Sequence, residues 1–109
     1  MSVSCEQFKL VEMRVGEILS AERVPETDKL LRLSVNFGEE APRQIVSGIA
    51  AYFPEPTELV GIKCAFVTNL EPRVIRGLES QGMIMAVGEG ETFSLLRVAS
   101  SAVLGSAVK

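Results

Sequence analysis

Alternation of apolar and polar residues over the segment 31–36 constrains the fold more than any other feature of the chain. Leu31, Leu33 and Val35 alternate there with Arg32, Ser34 and Asn36. A period of two residues is that of a half-buried β-strand, with Arg32 on its open face. Further runs rich in β-branched residues predict strands at 13–24 and 62–68, a third strand that includes Ile45 and Ser47, and a final hairpin formed by 82–87 and 94–98 around the turn GEGE. The chain is therefore predicted to be all-β.

A short helix is predicted before the first strand. Ser4 with Gln7 three residues later forms a capping-box pattern. We expect this helix to turn Phe8 and Val11 inward and to plug one end of the domain.

Glycine and proline mark the breaks between the strands. Gly16 predicts a bulge or a strong bend within the first strand, and Pro25 ends that strand. Thr57 is placed to cap a small helix that Gly61 stops. Five strands with a small helix between the third and fourth are the order of an OB-fold barrel, here a single domain over residues 1–109.

Composition excludes several classes of protein. With 47% hydrophobic and 23% charged residues the chain should fold, and no apolar run approaches the roughly 20 residues that cross a bilayer. We expect a cytoplasmic protein with no membrane contact. Histidine is absent and Asp28 is the single aspartate, so neither a catalytic site, a metal nor a cofactor is predicted. Cys5 and Cys64 are expected to be two reduced thiols.

The segment from Asn69 to Met83, NLEPRVIRGLESQGM, carries the chemistry. Arg73 and Arg76 each present a planar, permanently charged fork of donors that suits phosphate oxygens. Neutral groups able to contact sugars or base edges accompany them on Asn69, Ser80 and Gln81. The segment therefore predicts RNA binding, in a chain whose net charge of −3 requires the arginines to converge on one face with the glutamates elsewhere.

Three further cations are candidates for the same face. Lys29 lies in the loop between the first two strands, where OB-fold loops flank a ligand groove, and Arg32 and Arg43 extend this face. An ion pair with Asp28 or Glu26 is the alternative for Lys29. With one Tyr, five Phe and no Trp, base stacking on aromatic platforms is disfavoured, and recognition of folded RNA through phosphates, riboses and shape is favoured.

Four motifs in order resemble those of the tRNA-binding domain family. They are MRVGEI at 13–18, TDKL at 27–30, RQIVSGI at 43–49 and the segment 69–83. This family includes free-standing tRNA-binding proteins and the C-terminal appendage of many methionyl-tRNA synthetases. The resemblance implies that tRNA contacts come from Asn69, Arg73, Arg76, Ser80 and Met83. Val74 departs from the pattern, because family members often have lysine there.

The resemblance also implies partners. It indicates binding of tRNA by shape and backbone without base-sequence specificity, in aid of aminoacylation, with an aminoacyl-tRNA synthetase as a possible partner. Stand-alone members are homodimers joined through their terminal regions, and the apolar tail ASSAVLGSAVK is expected to pack on the barrel or on a second subunit. Met1 opening a complete short domain favours a free-standing protein. Two alternatives stay open: an export-related chaperone that binds unfolded polypeptides, and a dimerisation or docking appendage of methionyl-tRNA synthetase.

Overall fold

The computed structural model describes residues 1–109 and places one α-helix and nine strands along the chain. The elements are α1 (Cys5–Phe8), β1 (Met13–Arg23), β2 (Leu31–Asn36), β3 (Arg43–Ser47), β4 (Lys63–Val67), β5 (Arg73–Ile75), β6 (Leu78–Ser80), β7 (Met83–Ile84), β8 (Ala86–Val87) and β9 (Ser94–Leu95). Three short 3₁₀ helices lie at Ala50–Tyr52, Pro56–Leu59 and Gly90–Thr92.

A five-stranded antiparallel sheet in the order β3-β2-β1-β4-β7 forms the barrel. The first half of β1 pairs with β4 and its second half pairs with β2, so this long strand links the two sides of the barrel. One apolar cluster fills the interior. Its fully buried members include Ile18, Leu33, Val35, Ile45 and Phe66. The predicted all-β OB-type barrel is confirmed.

The irregularity in β1 lies at Leu19 and not at Gly16. The register with β2 shifts between Ile18 and Ser20, and the exposed Leu19 takes up the extra position. Gly16 has a packing role instead, because a Cβ atom there would lie 2.6 Å from the ring of Phe37. The glycine therefore makes room for a core aromatic ring beside the strand.

The N-terminal helix forms as predicted but buries nothing. Ser4 Oγ accepts a hydrogen bond from the N–H of Gln7, and the Gln7 side chain accepts one from the N–H of Ser4, which completes the capping box. Phe8 and Val11 nevertheless remain 51% and 45% exposed. The expectation that they turn inward is wrong, since a helix of four residues is too short to bring an apolar face onto the barrel.

The connection between β3 and β4 contains two 3₁₀ helices in place of one small helix. Thr57 does not cap the second of them; Glu55 occupies the N-cap position without a side-chain hydrogen bond, and Pro56 begins the helix. Leu59 is buried against the core, and Gly61 ends the segment with a φ of +88°.

The C-terminal tail lies along the beginning of β1, as expected for packing on the barrel. Val15 donates a backbone hydrogen bond to Ser106 at 3.0 Å, and Val108 donates one to Met13 at 2.9 Å. Lys63 Nζ fixes the approach of the tail by donating to the carbonyls of Ser100 and Ala102, both at 2.7 Å. None of the helices has the length and apolar character that a membrane span requires.

Candidate nucleic-acid interface

The segment rich in arginine forms a hairpin of its own. Strands β5 and β6 pair antiparallel, with Ile75 opposite Leu78, so that Arg76 and Gly77 are the two turn residues. Both have positive φ, +53° and +79°, the combination that a type I′ turn requires. Arg76 therefore stands at the tip of the hairpin, at the position where side chains are most free of neighbours.

Side chains fasten this hairpin to the open edge of β3. The N–H of Val46 donates to Ser80 Oγ at 3.0 Å, and the N–H of Gln44 donates to Gln81 Oε1 at 3.0 Å. Gln44 Nε2 donates in turn to the carbonyl of Glu79 at 2.9 Å. Edge-strand amides that would face solvent are thereby satisfied. Ser80 and Gln81 thus help to close the barrel at the base of the hairpin.

Arg43 holds the two segments that flank the hairpin. Its Nη1 donates to the carbonyl of Thr68 at 2.6 Å and to that of Gln81 at 3.3 Å, and its Nε and Nη2 donate to the carboxylate of Glu39 at 2.9 and 2.8 Å. The guanidinium also lies 5.3 Å from the centre of the Phe37 ring. These contacts occupy the donors that a phosphate would need.

The hydrogen bond from Arg43 holds the pKa of Glu39 below its usual value of 4.5, with the charges of Arg43 and Arg14 acting in the same direction against desolvation. The pKa of Arg43 is raised by the same pair. Both groups are therefore charged throughout the range in which the protein would work.

Asn69 connects the start of the segment to the N-terminal region. Its Oδ1 accepts from the N–H of Glu12 at 2.8 Å, and its Nδ2 donates to the carbonyl of Leu10 at 2.7 Å. Thr68 Oγ1 adds a bond of 2.7 Å to the carboxylate of Glu12. The amide of Asn69 thus orients the chain where it leaves β4 for the hairpin.

The remaining candidates separate into free and paired side chains. Arg73 and Arg76 are exposed, and no carboxylate forms an ion pair with either. Lys29 is likewise exposed and unpaired, so the alternative ion pair with Asp28 does not form. Arg32 pairs with Glu22, its cross-strand neighbour on β1. The free charges are therefore those of Lys29, Arg73 and Arg76.

Register places these free charges toward one end of β3. Ser80 lies beside Val46 and Gln81 beside Gln44, so β6 runs antiparallel to β3 and the hairpin tip projects toward Gly48. Lys29 lies at that end, because its carbonyl accepts the N–H of Ala50 at 3.1 Å.

Some glutamates near these free charges lie on another face or are already paired, whereas Glu26 and Glu71, close in sequence to Lys29 and Arg73, are exposed without an ion pair. Val74 lies opposite Glu79 and Arg73 opposite Ser80, so Glu79 occupies the other face of the hairpin from Arg73. Glu12 and Glu39 both pair with Arg14. No group of histidine, cysteine, aspartate or glutamate side chains is arranged to hold a metal ion.

Exposed apolar side chains occur in the same segment, 69–83, as the two free arginines, and Val74 lies on the opposite face of the hairpin from Arg73. Met83 is 44% exposed on β7, and Val74 is 73% exposed on β5. Leu70 is exposed where the segment begins. An interface built from these residues would combine cationic and apolar contacts.

Sequence reasoning missed Gln44, which fastens the hairpin through both its side chain and its backbone. Its partners lie 35 and 37 residues away, at Glu79 and Gln81. No local pattern around Gln44 carries that information, so contact between distant residues is needed to find it.

Comparison with known proteins places this geometry in a family. The family described as "Putative tRNA binding domain" matches residues 13–107. Methionine–tRNA ligase of Methanospirillum hungatei is 50% identical over 107 residues, and that of Thermotoga maritima is 42% identical over 107 residues; each match covers 98% of this chain. The chain spans 16% and 17% of the lengths of these curated relatives.

Solved structures give the same result. A MetRS related protein from Pyrococcus horikoshii superposes with a TM-score of 0.91 and 39% identity, covering 100% of this chain and 99% of that one. The chaperone CsaA from Bacillus anthracis shares the fold, with a TM-score of 0.85 and 24% identity over 100% of both chains. The chain belongs to the tRNA-binding domain family.

Proposed function

We propose that this domain binds folded tRNA through its phosphate backbone and overall shape, without reading base sequence. The observation that carries the proposal is the pair of unpaired guanidinium groups, Arg73 and Arg76, on a hairpin whose base is fixed to the barrel. Guanidinium groups bind phosphate oxygens in a bidentate manner, and a fixed scaffold reduces the entropy lost on binding.

Other predicted residues are assigned two roles. Lys29 and Met83 add a cationic and an apolar contact beside the arginines. Arg43, Asn69, Ser80 and Gln81 position the hairpin, since their side chains already bond within the protein. Arg32 is assigned to the barrel through its pair with Glu22. A binding surface with few unpaired cationic side chains is expected to have modest affinity with strong salt dependence.

Fluorescence anisotropy with labelled tRNA tests the proposal. The variant Arg73→Gln/Arg76→Gln should bind at least tenfold more weakly than the wild type at low salt. The slope of log affinity against log salt should become shallower by about one to two, because each phosphate contact contributes about 0.7 to 0.9. The matched control Arg23→Gln/Arg97→Gln removes the same charge from exposed positions outside the hairpin and should bind nearly as the wild type does. Equal loss of tRNA affinity in both variants would show that only the net charge of the protein matters. It would contradict the assignment of Arg73 and Arg76 to the interface.

The terminal regions support a homodimer. Phe8 and Val11 line a cleft of about 500 Å³ together with Met13 and Val108, and the exposed apolar side chains there have no cover within one chain. We assign this cleft to a second copy of the chain, which would place two weak arginine hairpins on one tRNA and raise affinity through effective concentration. Sedimentation equilibrium tests the assembly: Phe8→Ser/Val11→Ser should be monomeric at concentrations where the wild type is dimeric.

Relation to methionine–tRNA ligases indicates how the binding is used. We assign the domain to delivery or retention of tRNA for a synthetase, acting in trans or as part of a longer chain. Steady-state aminoacylation at limiting tRNA, with and without this domain, measures the effect. The domain should lower the KM for tRNA and leave kcat unchanged, since it adds binding energy away from the reacting atoms.

A chaperone function is the second candidate, favoured by the exposed apolar side chains of Leu70, Val74 and Met83 around the hairpin. Competition between tRNA and a reduced, unfolded polypeptide separates the two functions. Under the tRNA proposal the polypeptide fails to displace tRNA at equimolar concentration, whereas tighter binding of the polypeptide would favour the chaperone.

A further inference from the structure

An aromatic cleft lies between the 3₁₀ helices and β9, apart from the arginine hairpin. It has a volume of about 540 Å³, within the range of small-ligand and peptide pockets. Tyr52 and Phe93 stack with their ring centres 3.8 Å apart and their planes 5° from parallel, and Phe53 meets Phe93 edge-on at 6.1 Å. Leu59 and Leu95 complete the apolar lining.

One carboxylate lines this cleft, and three more lie close in sequence to lining residues. Glu58 lines it, and Glu55 lies at the start of the same 3₁₀ helix. Glu89 and Glu91 flank Gly90, which lines the opposite side. All of these carboxylates are exposed and none forms an ion pair. A single cation, Arg97, lies among the lining residues.

We propose that this cleft binds a short polypeptide segment in which an apolar or aromatic residue is flanked by lysine or arginine. The apolar anchor fits against the Tyr52, Phe53 and Phe93 rings, where aromatic contacts and desolvation give most of the affinity. Flanking cations meet the carboxylates of Glu58 and Glu91. Charge complementarity of this kind fixes the register of a bound peptide and suppresses acidic competitors.

Charge also disfavours RNA as the occupant. The cleft has one lining carboxylate, Glu58, and one lining guanidinium, Arg97, and three further carboxylates close in sequence to lining residues, Glu55, Glu89 and Glu91, would repel a phosphate backbone. The stacked faces of Tyr52 and Phe93 cover each other, so neither ring offers two open faces for a base. The hairpin with its free arginines suits RNA, and the cleft with carboxylates beside it suits a basic protein segment.

The experiment uses a fluorescein-labelled, capped hexapeptide with phenylalanine and leucine at its centre and two lysines on each side. Anisotropy should report saturable binding to the full chain. Two control peptides should bind at least tenfold more weakly, one with glutamates in place of the lysines and one with glycines in place of the apolar pair. Amide chemical shifts of ¹⁵N-labelled protein should change around Tyr52, Phe93 and Leu95.

Surface variants separate this site from the hairpin. Glu58→Gln/Glu91→Gln should weaken peptide binding about twofold to tenfold, the range expected for two exposed charge pairs, while tRNA affinity stays unchanged. The control Glu6→Gln/Glu40→Gln removes two exposed carboxylates elsewhere and should leave peptide binding as it is. Tyr52→Ala, with its fold verified, should weaken the peptide at least fivefold.

Four results would overturn the proposal. The first three are absence of saturable binding, shift changes confined to residues 72–80, and displacement of the peptide by an oligouridylate. Shift changes around Tyr52 on dilution of the free protein would assign the cleft to a second copy of the chain and overturn it as well.

Discussion

Val46 donates its backbone N–H to the buried Oγ of Ser80 at 3.0 Å, and Ser80 donates onward to the carbonyl of Gly82 at 3.1 Å. A side chain therefore replaces the backbone carbonyl that a neighbouring strand would offer to β3. Replacing Ser80 by alanine leaves this amide without a partner, and we expect a loss of about 1–3 kcal/mol in the free energy of unfolding. Urea denaturation measures the change.

The control is Ser20→Ala. Ser20 is exposed on β1, and its hydroxyl makes no hydrogen bond within the protein, so the change should stay within about 0.5 kcal/mol. Equal destabilisation by the two substitutions would show that Ser80 contributes no more than a surface hydroxyl.

Arg76 combines a charge that we propose binds phosphate with an unfavourable backbone conformation. Its φ of +53° is costly for arginine, whereas asparagine before glycine is the preferred pair for this turn. Arg76→Asn should therefore raise the free energy of unfolding by about 0.5–1 kcal/mol, a typical gain for a compatible turn residue, and should weaken tRNA binding at the same time. Arg73→Asn loses the same charge from a regular strand position and should weaken binding without added stability. A variant at 76 that keeps full affinity would remove this arginine from the interface.

Gly16 should not tolerate a methyl group. A Cβ atom there would lie 2.6 Å from the Phe37 ring and 2.7 Å from Val35 Cγ1, so Gly16→Ala forces the core to move. Overpacking of this kind costs about 1–3 kcal/mol, measured by thermal or urea unfolding. Gly48→Ala is the matched control, because its nearest neighbouring atom lies 4.0 Å away. Similar effects at both positions would contradict the packing role of Gly16.

Acid should weaken the contacts of Arg43 through protonation of Glu39. The folded-state pKa of Glu39 lies below 4.5, so its contribution to stability is complete above pH 4.5 and is lost as the pH falls through the lowered value. The difference in unfolding free energy between the wild type and Glu39→Gln should therefore be larger at pH 6.5 than at pH 3. Glu40→Gln changes an exposed neighbour without an ion pair and should show no such dependence. A difference in unfolding free energy between the wild type and Glu39→Gln that does not change with pH would contradict the ion pair of Glu39 with Arg43.

The two thiols should differ in reactivity. Burial raises the pKa of the Cys64 thiol to about 11, whereas Cys5 is exposed in α1. A chromogenic disulfide reagent at pH 8 should titrate one thiol per chain in the folded protein and both in urea. Cys5→Ser should abolish the reaction of the folded state, and a fast second thiol there would contradict the burial of Cys64.

Structural features that depend on residues close together in sequence were predicted from local patterns. The alternation from Leu31 to Val35 determines which face of β2 is buried, and the pairing of Ser4 with Gln7 caps a helix within a single turn. The hairpin at 73–80 was not predicted as strands, because its turn carries arginine where asparagine would have signalled a type I′ turn. The type I′ turn was therefore not recognisable from its residues, because arginine does not favour the positive φ that Arg76 adopts.

Contacts between residues distant in sequence could not be predicted from local patterns. Asn69 and Ser80 were expected to face RNA, and they bond to groups 57 and 34 residues away, at Glu12 and Val46. A short polar side chain looks the same in sequence whether its partner is a ligand or a distant backbone amide. Arg73 and Arg76 form no ion pair in the folded chain, whereas Arg32 and Arg43, predicted for the same face, pair with Glu22 and Glu39.

The hydrogen bond from Val108 to Met13 brings the two ends of the barrel together. A tether to another protein would start from nearly the same point whether it were joined before β1 or after the tail. The barrel would then present its hairpin to the host in a similar orientation in either gene order. A module with adjacent ends can be joined at either end without redesign of the hairpin that we propose contacts RNA.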